Sequence, residues 1–250
     1  EWSHLIAEHG VTVWNTAPAV AQMLVEYAED DPVVLGRLMS LRLMLLSGDW
    51  IPLSLPQRLH TMLPELRVVS LGGATEASIW SICHPIERMD PGWRSIPYGR
   101  ALRDQFFLVL DEDGRPCPVG VPGELHIGGA GLARGYVGDE RQTAHRFYRH
   151  PVFDVRLYRT GDLGRWSPDG TIEFLGRVDR QLKILGHRIE PGEVEAVLTT
   201  LPQIRQCLVT GHRGKDGQMR LVAYLVGRSA PPDPEAVTAP ARSRLPAYMV

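Results

Sequence analysis

The fold is decided by the stretch Leu71-Gly72-Gly73-Ala74-Thr75-Glu76-Ala77-Ser78, which ends a compact apolar run at residues 66–71. Such a run predicts a strand buried in a parallel sheet, and ligands of open α/β sheets bind beyond the carboxyl ends of strands. Glycines there let a planar ligand lie against bare backbone. Thr75 supplies a hydroxyl, and Glu76 supplies the hard oxygen donor that Mg²⁺ prefers. The alternative interpretation is a strand-to-loop turn with a solvated glutamate.

The residues before this stretch favour an α/β unit. A second apolar run at residues 41–46 predicts another strand buried on both faces, and residues 52–62 predict a helix between the two strands. This order indicates a right-handed parallel unit.

Further upstream, residues 2–9 are helical in pattern and residues 11–14 form a short apolar run. Pro18 opens a predicted helix with Val20, Leu24 and Tyr27 on one face, since they are spaced i, i+4, i+7.

The chain changes character after residue 95. Strands are predicted at residues 106–110, 123–127 and 171–175, separated by Gly- and Pro-rich turns, which favour an antiparallel or barrel-like subdomain. Beyond residue 180, Pro191 begins a predicted helix. Strands are predicted at 204–210 and 219–226, joined through residues 214–217, and a final helix at 235–244.

Three further segments carry charge or glycine. Residues 128–136 match neither a dinucleotide fingerprint nor a Walker A loop, so their glycines are interpreted as tight corners between strands. Asp162, beside Gly161, could accept hydrogen bonds from a ribose diol or serve as an ordinary turn residue. In residues 176–190, Arg177 could pair with phosphate or ribose oxygens and Asp179 lies where the backbone could swivel, the alternative being a charged linker.

Composition excludes several classes of protein. A net charge of -2 gives no basic footprint for nucleic acid, and no apolar run reaches the length of a membrane span. Cys83, Cys117 and Cys207 are scattered without metal-binding spacing, so we interpret each as a small buried apolar residue and expect a cytoplasmic protein.

Taken in order, four segments resemble successive core motifs of the adenylate-forming superfamily, in the form typical of nonribosomal peptide synthetase adenylation domains: GGATEAS, GELHIGGAGLARGY, YRTGDL and GRVDRQLKILGHRIEPGEVE. The resemblance covers essentially the whole chain and implies an α/β fold. Residues 1–178 would be the C-terminal part of the large core, with a parallel α/β layer at 1–94 and a β-barrel-like subdomain at 95–178. Residues 179–250 would be a small, mobile, truncated α+β C-terminal subdomain.

The resemblance implies an ATP-dependent ligase. An amino acid carboxylate attacks the α-phosphate of MgATP, and a carrier-domain phosphopantetheine thiol then takes the acyl group. Residue by residue, Glu76 would ligate Mg²⁺ and Thr75 would approach the phosphate. The nucleotide would contact Gly72, Gly73, Ala74, Asp162 (at the ribose), Phe174 (beside the nucleoside) and Arg177. Asp179 would be the hinge, and Lys183 to Gly186 would belong to the loop that enters for thioester formation.

Other parts of the family's machinery are expected outside this sequence. The phosphate-binding loop and the amine-binding Asp would precede Glu1, and the catalytic lysine would follow Val250, so the 250 residues alone are expected to be inactive. Two positions depart from the family's pattern. Gly72 stands where an aromatic residue of the adenine loop is usual, and Leu185 stands where Arg is common.

The family's selectivity positions fall on Asn15, Leu45, Ser47, Leu71, Ile79 and Trp80. This set resembles cysteine-activating domains of pyochelin- and yersiniabactin-type siderophore synthetases. It describes a small aliphatic pocket closed by Trp80, in which Ser47 or Asn15 could meet a thiol, although Leu45, Leu71 and Ile79 are expected to be buried in any fold. The implied partners are a peptidyl carrier domain and a neighbouring condensation or cyclisation domain. The alternatives are an acyl- or aryl-CoA ligase of the same superfamily and a non-catalytic scaffold module.

Overall fold

The computed structural model describes residues 1–214, 219–229 and 231–250. These residues form two compact units, Glu1–Asp179 and Arg180–Val250. The first unit ends one residue beyond the predicted end of the large core. Of the predicted connection at 214–217, residues 215–217 lie outside the described part of the chain.

The first unit begins with a five-stranded sheet in the order β1-β2-β3-β4-β5. Strands β1, β2 and β3 are parallel, whereas β4 and β5 add in antiparallel fashion. The elements are α1 (Trp2–His9), β1 (Val13–Thr16), α2 (Pro18–Glu29), α3 (Pro32–Arg37), β2 (Leu43–Ser47), α4 (Ser54–Met62), β3 (Arg67–Gly72), a 3-10 turn (Thr75–Ala77), β4 (Ile82–Ile86) and β5 (Arg100–Ala101). The predicted parallel α/β unit is therefore confirmed.

Two details of this layer differ from prediction. Helix α2 buries Ala21, Leu24 and Ala28, whereas Tyr27 is exposed. The prediction counted only large apolar side chains and so missed that small alanines define the buried face. Strand β2 is buried in the core on one face only, through Met44 and Leu46, while its other face is half-buried.

Helix α3 was not predicted, although its start carries an ordinary signal. The Asp31 carboxylate accepts hydrogen bonds from the Val33 and Val34 amides, and Pro32 follows as the first helical residue. Both features are typical of helix N-termini.

The rest of the first unit is an open antiparallel sheet in the order β10-β9-β7-β6, with β8 paired to β9. Its elements are β6 (Gln105–Leu110), β7 (Gly123–Gly129), α5 (Glu140–Arg146), β8 (Phe147–Arg149), β9 (Arg156–Trp166) and β10 (Ile172–Arg177). The antiparallel prediction is confirmed, but β9 was missed. Asp162 therefore lies inside a strand, and the alternative interpretation of it as an ordinary turn residue is wrong.

The second unit consists of β11 (Leu182–Ile184), β12 (His187–Ile189), α6 (Pro191–Thr199), β13 (Ile204–Arg213), β14 (Met219–Gly227), α7 (Pro234–Arg244) and a 3-10 turn (Ala247–Met249). Its core includes Ile189, Val194, Leu198, Val209 and Val237. The helices and strands predicted for this unit are confirmed. In α6, Val194 and Leu198 lie on the buried face, as the predicted helical register requires. No helix in the described ranges has the length and apolar character required to cross a bilayer.

Candidate functional site

The loop after β3 folds back tightly on itself. The Ser81 amide donates to the Gly72 carbonyl over 2.8 Å, and the Ile79 amide donates to the Ala74 carbonyl over 3.0 Å. Gly73 has a φ of 144°, and a Cβ placed there would lie 2.7 Å from both the Ile79 carbonyl oxygen and the Ser81 nitrogen. Only glycine fits this position, because the loop's own backbone fills the space that a side chain would need.

Glu76 is fixed by the segment that follows β7. Its carboxylate is only 6% exposed, and its Oε1 accepts a hydrogen bond from the Tyr136 hydroxyl over 2.7 Å. Its carbonyl accepts the Ala133 amide over 2.8 Å, and Arg156 donates to the Ala133 carbonyl. Residues 128–136 were predicted only to make corners between strands. Tyr136 was missed because nothing local in the sequence links it to Glu76.

The donor set near Glu76 fits a magnesium ion that is shared with a phosphate ligand. No group of three or more His, Cys, Asp or Glu side chains suited to a metal occurs among the described residues. Mg²⁺ is commonly held by one or two carboxylates plus substrate phosphates rather than by an all-protein cage. Thr75, beside Glu76 in the chain, is exposed.

Asp162 and Arg177 face each other across β9 and β10. Arg177 Nη1 donates to Asp162 Oδ1 over 2.6 Å, and Nε and Nη2 donate to the two oxygens of Asp179 over 2.6 and 2.7 Å. Arg177 Nη2 also donates to the Thr160 carbonyl over 3.2 Å. Burial lowers the pKa of Arg177, but the Asp179 hydrogen bonds and the Asp162 charge outweigh it and raise the pKa overall.

The environment of this pair differs from the sequence interpretation. Asp162 is almost fully buried within a strand, and the Arg177 guanidinium already contacts three protein groups. A ligand that contacts Arg177 must therefore share it with Asp162 and Asp179. The Arg146 side chain lies 3.7 Å from Asp179, which places a second cation beside the predicted hinge.

An aromatic cluster surrounds Phe174, which lies on the same strand, β10, as Arg177. Phe174 packs against Tyr98 with ring centroids 5.5 Å apart and against Trp50 at 5.0 Å. Tyr98 in turn lies against Gly72, whose missing side chain leaves room for the tyrosine ring. Phe174 was predicted to stand beside a nucleoside, whereas Tyr98 and Trp50 were not predicted.

Four predicted pocket residues share one face of the first sheet. Asn15 pairs with Leu45, and Ser47 pairs with Leu71, in the registers β1–β2 and β2–β3. Since side chains alternate along a strand, this face is opposite to the one whose Met44 and Leu46 enter the core.

Accessibility on this face is uneven. Leu45, Ser47 and Leu71 are half-buried and Asn15 is exposed. Cys83, opposite Leu71 on β4, lies on the same face and is also half-buried. The expectation that every cysteine is buried is met only by Cys117.

Ile79 and Trp80 extend from the loop after β3. Ile79 is 60% exposed, so the expectation that it is buried in any fold is wrong, because its backbone adopts a φ of 66° that turns it away from the sheet. Trp80 is half-buried, and its Nε1 is enclosed with no hydrogen-bond partner among the described residues. Its carbonyl accepts from Gln105 Nε2 over 3.0 Å.

Lys183 and Gly186 belong to the second unit and lie in the β11–β12 hairpin. Lys183 pairs with Arg188, and Ile184 pairs with His187. The two residues of the turn, Leu185 and Gly186, have φ values of 52° and 84°. The segment predicted as a moving loop is therefore a tight hairpin in this structure.

The comparisons with known proteins agree with this architecture. The family model described as AMP-binding enzyme matches residues 1–137. The chain belongs to that family of AMP-binding enzymes. Within it, the chain resembles the adenylation domains of nonribosomal peptide synthetases, as its motifs predict.

The relatives are longer proteins, and this chain matches only a part of each. Pyochelin synthetase PchF of Pseudomonas aeruginosa (strain UCBPP-PA14) is 56% identical over 203 residues, which are 81% of this chain and 11% of PchF. The nonribosomal peptide synthetase FmoA3, solved with α-methyl-L-serine-AMP bound, is 46% identical with a TM-score of 0.67, over 70% of this chain and 20% of that one.

A third relative places an adenylation domain beside a carrier domain. PA1221, solved as a holo nonribosomal peptide synthetase protein with adenylation and PCP domains, is 29% identical with a TM-score of 0.82. The match covers 94% of this chain and 40% of PA1221. The chain thus spans less than half the length of each of these three relatives.

Proposed function

We propose that this chain forms part of an adenylation domain, within a multidomain synthetase, that activates an amino acid with MgATP. One observation carries the proposal. A buried carboxylate held by Tyr136, an aromatic cluster around Phe174, and the Asp162–Arg177 pair all lie in the first unit. These are the three kinds of group that a metal-bound nucleotide requires.

In this proposal each residue has a distinct task. Glu76 holds Mg²⁺ with a carboxylate that Tyr136 keeps oriented. The backbone of Gly72, Gly73 and Ala74 approaches the base, and Phe174 stands beside the nucleoside. Thr75 offers a hydroxyl to the phosphate. MgATP supplies the adenylyl group, to which the substrate carboxylate is joined with release of pyrophosphate.

Asp162 would hold the ribose hydroxyls. Arg177 holds this carboxylate in position, since its Nη1 donates to Asp162 over 2.6 Å. The protein's contribution is positioning and charge neutralisation, both of which need groups that do not reorganise during the reaction. The Asp179 hinge, and a second unit that rotates between half-reactions, extend the same proposal.

For the substrate we propose cysteine. The face formed by Asn15, Leu45, Ser47 and Leu71 combines two aliphatic side chains with two polar groups able to meet a thiol. Trp80 would close the pocket. The FmoA3 complex holds α-methyl-L-serine-AMP, so a small hydroxyl-bearing amino acid is the competing substrate class.

The proposed partners follow from the relatives. PA1221 contains adenylation and PCP domains, and PchF is a pyochelin synthetase. We therefore propose a phosphopantetheine-bearing carrier domain as the acceptor, a neighbouring condensation or cyclisation domain, a siderophore-type product and a cytoplasmic location.

The experiment is ATP–pyrophosphate exchange by the full-length synthetase with each amino acid in turn. L-cysteine should give the highest rate, and Trp80→Ala should broaden the set accepted. If the enzyme prefers L-serine, the proposed substrate is wrong but the proposed adenylation activity stands. If none of the amino acids supports exchange although the protein binds nucleotide, the result would favour a scaffold or a CoA ligase instead.

A matched pair of variants tests the ribose site. Asp162→Asn removes the charge beside Arg177 and should reduce exchange at least tenfold through a higher KM for ATP. Asp169→Asn changes an exposed turn aspartate that accepts from Thr171, and it should leave that KM unchanged. Equal KM values for the two variants would remove Asp162 from the nucleotide site.

A further inference from the structure

Tyr98 lies where the side chain of residue 72 would be. A Cβ built on Gly72 would overlap the Cε2 and Cζ atoms of the Tyr98 ring and lie 2.7 Å from its Cδ2. The tyrosine backbone is fixed from the other side, because its amide donates to the Ile172 carbonyl over 2.8 Å. An aromatic ring thus covers the Gly72 backbone although it comes from a different part of the chain.

The ring is held in place by its neighbours. Its centroid lies 5.5 Å from that of Phe174, in a tilted arrangement, and 6.2 Å from that of Phe107, edge to face. The Gly73 amide lies near enough to the ring's hydroxyl to lower the pKa of Tyr98. A ring fixed in this way loses little further freedom when a ligand packs against it.

Tyr98 also lies within electrostatic range of the proposed ribose site. Burial raises the pKa of Tyr98, and the negative charge of Asp162 raises it further, while the Gly73 amide and the positive charge of Arg177 oppose both. The ring therefore contacts the glycine loop and is close enough to Asp162 and Arg177 to be affected by their charges. A nucleoside with its ribose held at Asp162 would have its base near this ring.

We propose that Tyr98 supplies the aromatic surface for the nucleobase that Gly72 cannot supply, with Phe174 as its neighbour. This inference rests on the proposed function, since it assigns a residue within the same nucleotide site. Bare glycine backbone offers a base no π-surface, whereas an aromatic side chain strengthens binding of a stacked base by roughly 5- to 150-fold. In this proposal, Tyr98 takes over the role of the aromatic residue that is usual at the position of Gly72.

The test measures binding of AMP and of ribose 5-phosphate to the full-length synthetase, by calorimetry or by competition. Tyr98→Ala should raise the Kd for AMP about tenfold or more and leave the Kd for ribose 5-phosphate unchanged, because only AMP carries a base. Tyr98→Phe keeps the ring and loses only the hydroxyl, so its AMP affinity should stay within about threefold of the wild type.

A double variant separates stacking from damage to the fold. Gly72→Tyr alone should weaken AMP binding, because the new side chain collides with Tyr98. Gly72→Tyr combined with Tyr98→Ala moves the ring to the other chain position and should restore most of the AMP affinity lost in Tyr98→Ala.

The outcomes distinguish the two levels of the proposal. Wild-type protein that binds neither AMP nor ATP would overturn the proposed function itself. Normal AMP affinity in Tyr98→Ala would overturn only the role of Tyr98. Equal loss of both ligands in Tyr98→Ala, without recovery in a folded double variant, would show a structural role and also overturn it.

Discussion

The hydroxyl of Tyr136 donates to Oε1 of Glu76, with 2.7 Å between the oxygens, and so joins two segments that are far apart in the chain. We predict that Tyr136→Phe in the full-length synthetase raises the Mg²⁺ concentration needed for half-maximal exchange several-fold. The carboxylate keeps its charge but loses one restraint on its orientation. The expected cost in the free energy of unfolding is about 1 kcal/mol. Magnesium titration and urea unfolding measure the two effects separately.

Tyr148→Phe is the matched control. Its hydroxyl also makes a side-chain hydrogen bond, to His126 Nδ1 at 3.1 Å, but it does not contact Glu76. The Tyr148→Phe variant should lose a similar free energy of unfolding and leave the Mg²⁺ concentration for half-maximal exchange unchanged. A shift of equal size in both variants would show that the magnesium effect comes from general loosening of the sheet.

The loop after β3 gives a second prediction. Gly73→Ala should destabilise the protein by more than about 2 kcal/mol, because the new methyl meets two backbone atoms at 2.7 Å in addition to the cost of a positive φ. Gly114→Ala is its control, since Gly114 has a φ of 77° and open space around it. That variant should cost only about 1 kcal/mol. Equal losses in urea unfolding would contradict the steric contribution.

Much of the secondary structure of the first unit could be predicted from the sequence, but its long-range residue pairs could not. Glu76 could be placed at a strand end because the apolar run at 66–71 and the following glycines are local signals. The contacts of Glu76 with Tyr136, and of Gly72 with Tyr98, depend on how separate strands pack. Ile79 was expected to be buried from its residue type alone, whereas the backbone of its loop turns it outward.

The β11–β12 hairpin gives a prediction for stability. Leu185 occupies the first position of a two-residue turn in which both φ values are positive, and it is 53% exposed. Asn-Gly is a preferred pair for such turns, whereas leucine with positive φ is strained. Leu185→Asn should therefore stabilise the second unit by about 0.5–1 kcal/mol in denaturant unfolding.

Leu208→Asn is a suitable control, because Leu208 is 50% exposed in strand β13 and pairs with Tyr224. It should destabilise the same unit, since asparagine is unfavourable in a strand. Stabilisation by both variants would attribute the gain to reduced exposed apolar surface rather than to the turn.

His126 makes stability depend on pH. Its ring is buried on β7 beside the Tyr148 hydroxyl, and burial, followed by the charges of Arg159 and His150, lowers its pKa from 6.5 to about 3. The folded protein then binds fewer protons than the unfolded chain between those two values. The free energy of unfolding therefore falls as the pH falls below about 6.5, and this residue should remove about 2 kcal/mol between pH 7 and pH 5.

His126→Asn should remove that part of the pH dependence, because asparagine keeps an acceptor for Tyr148 and has no proton to gain. The exposed His4 gives the control, and His4→Asn should keep the wild-type difference between the two pH values. Denaturant unfolding of all three proteins at pH 7 and pH 5 decides the matter. If His126→Asn loses as much stability on acidification as the wild type, the neutral buried imidazole is not the source of the pH dependence.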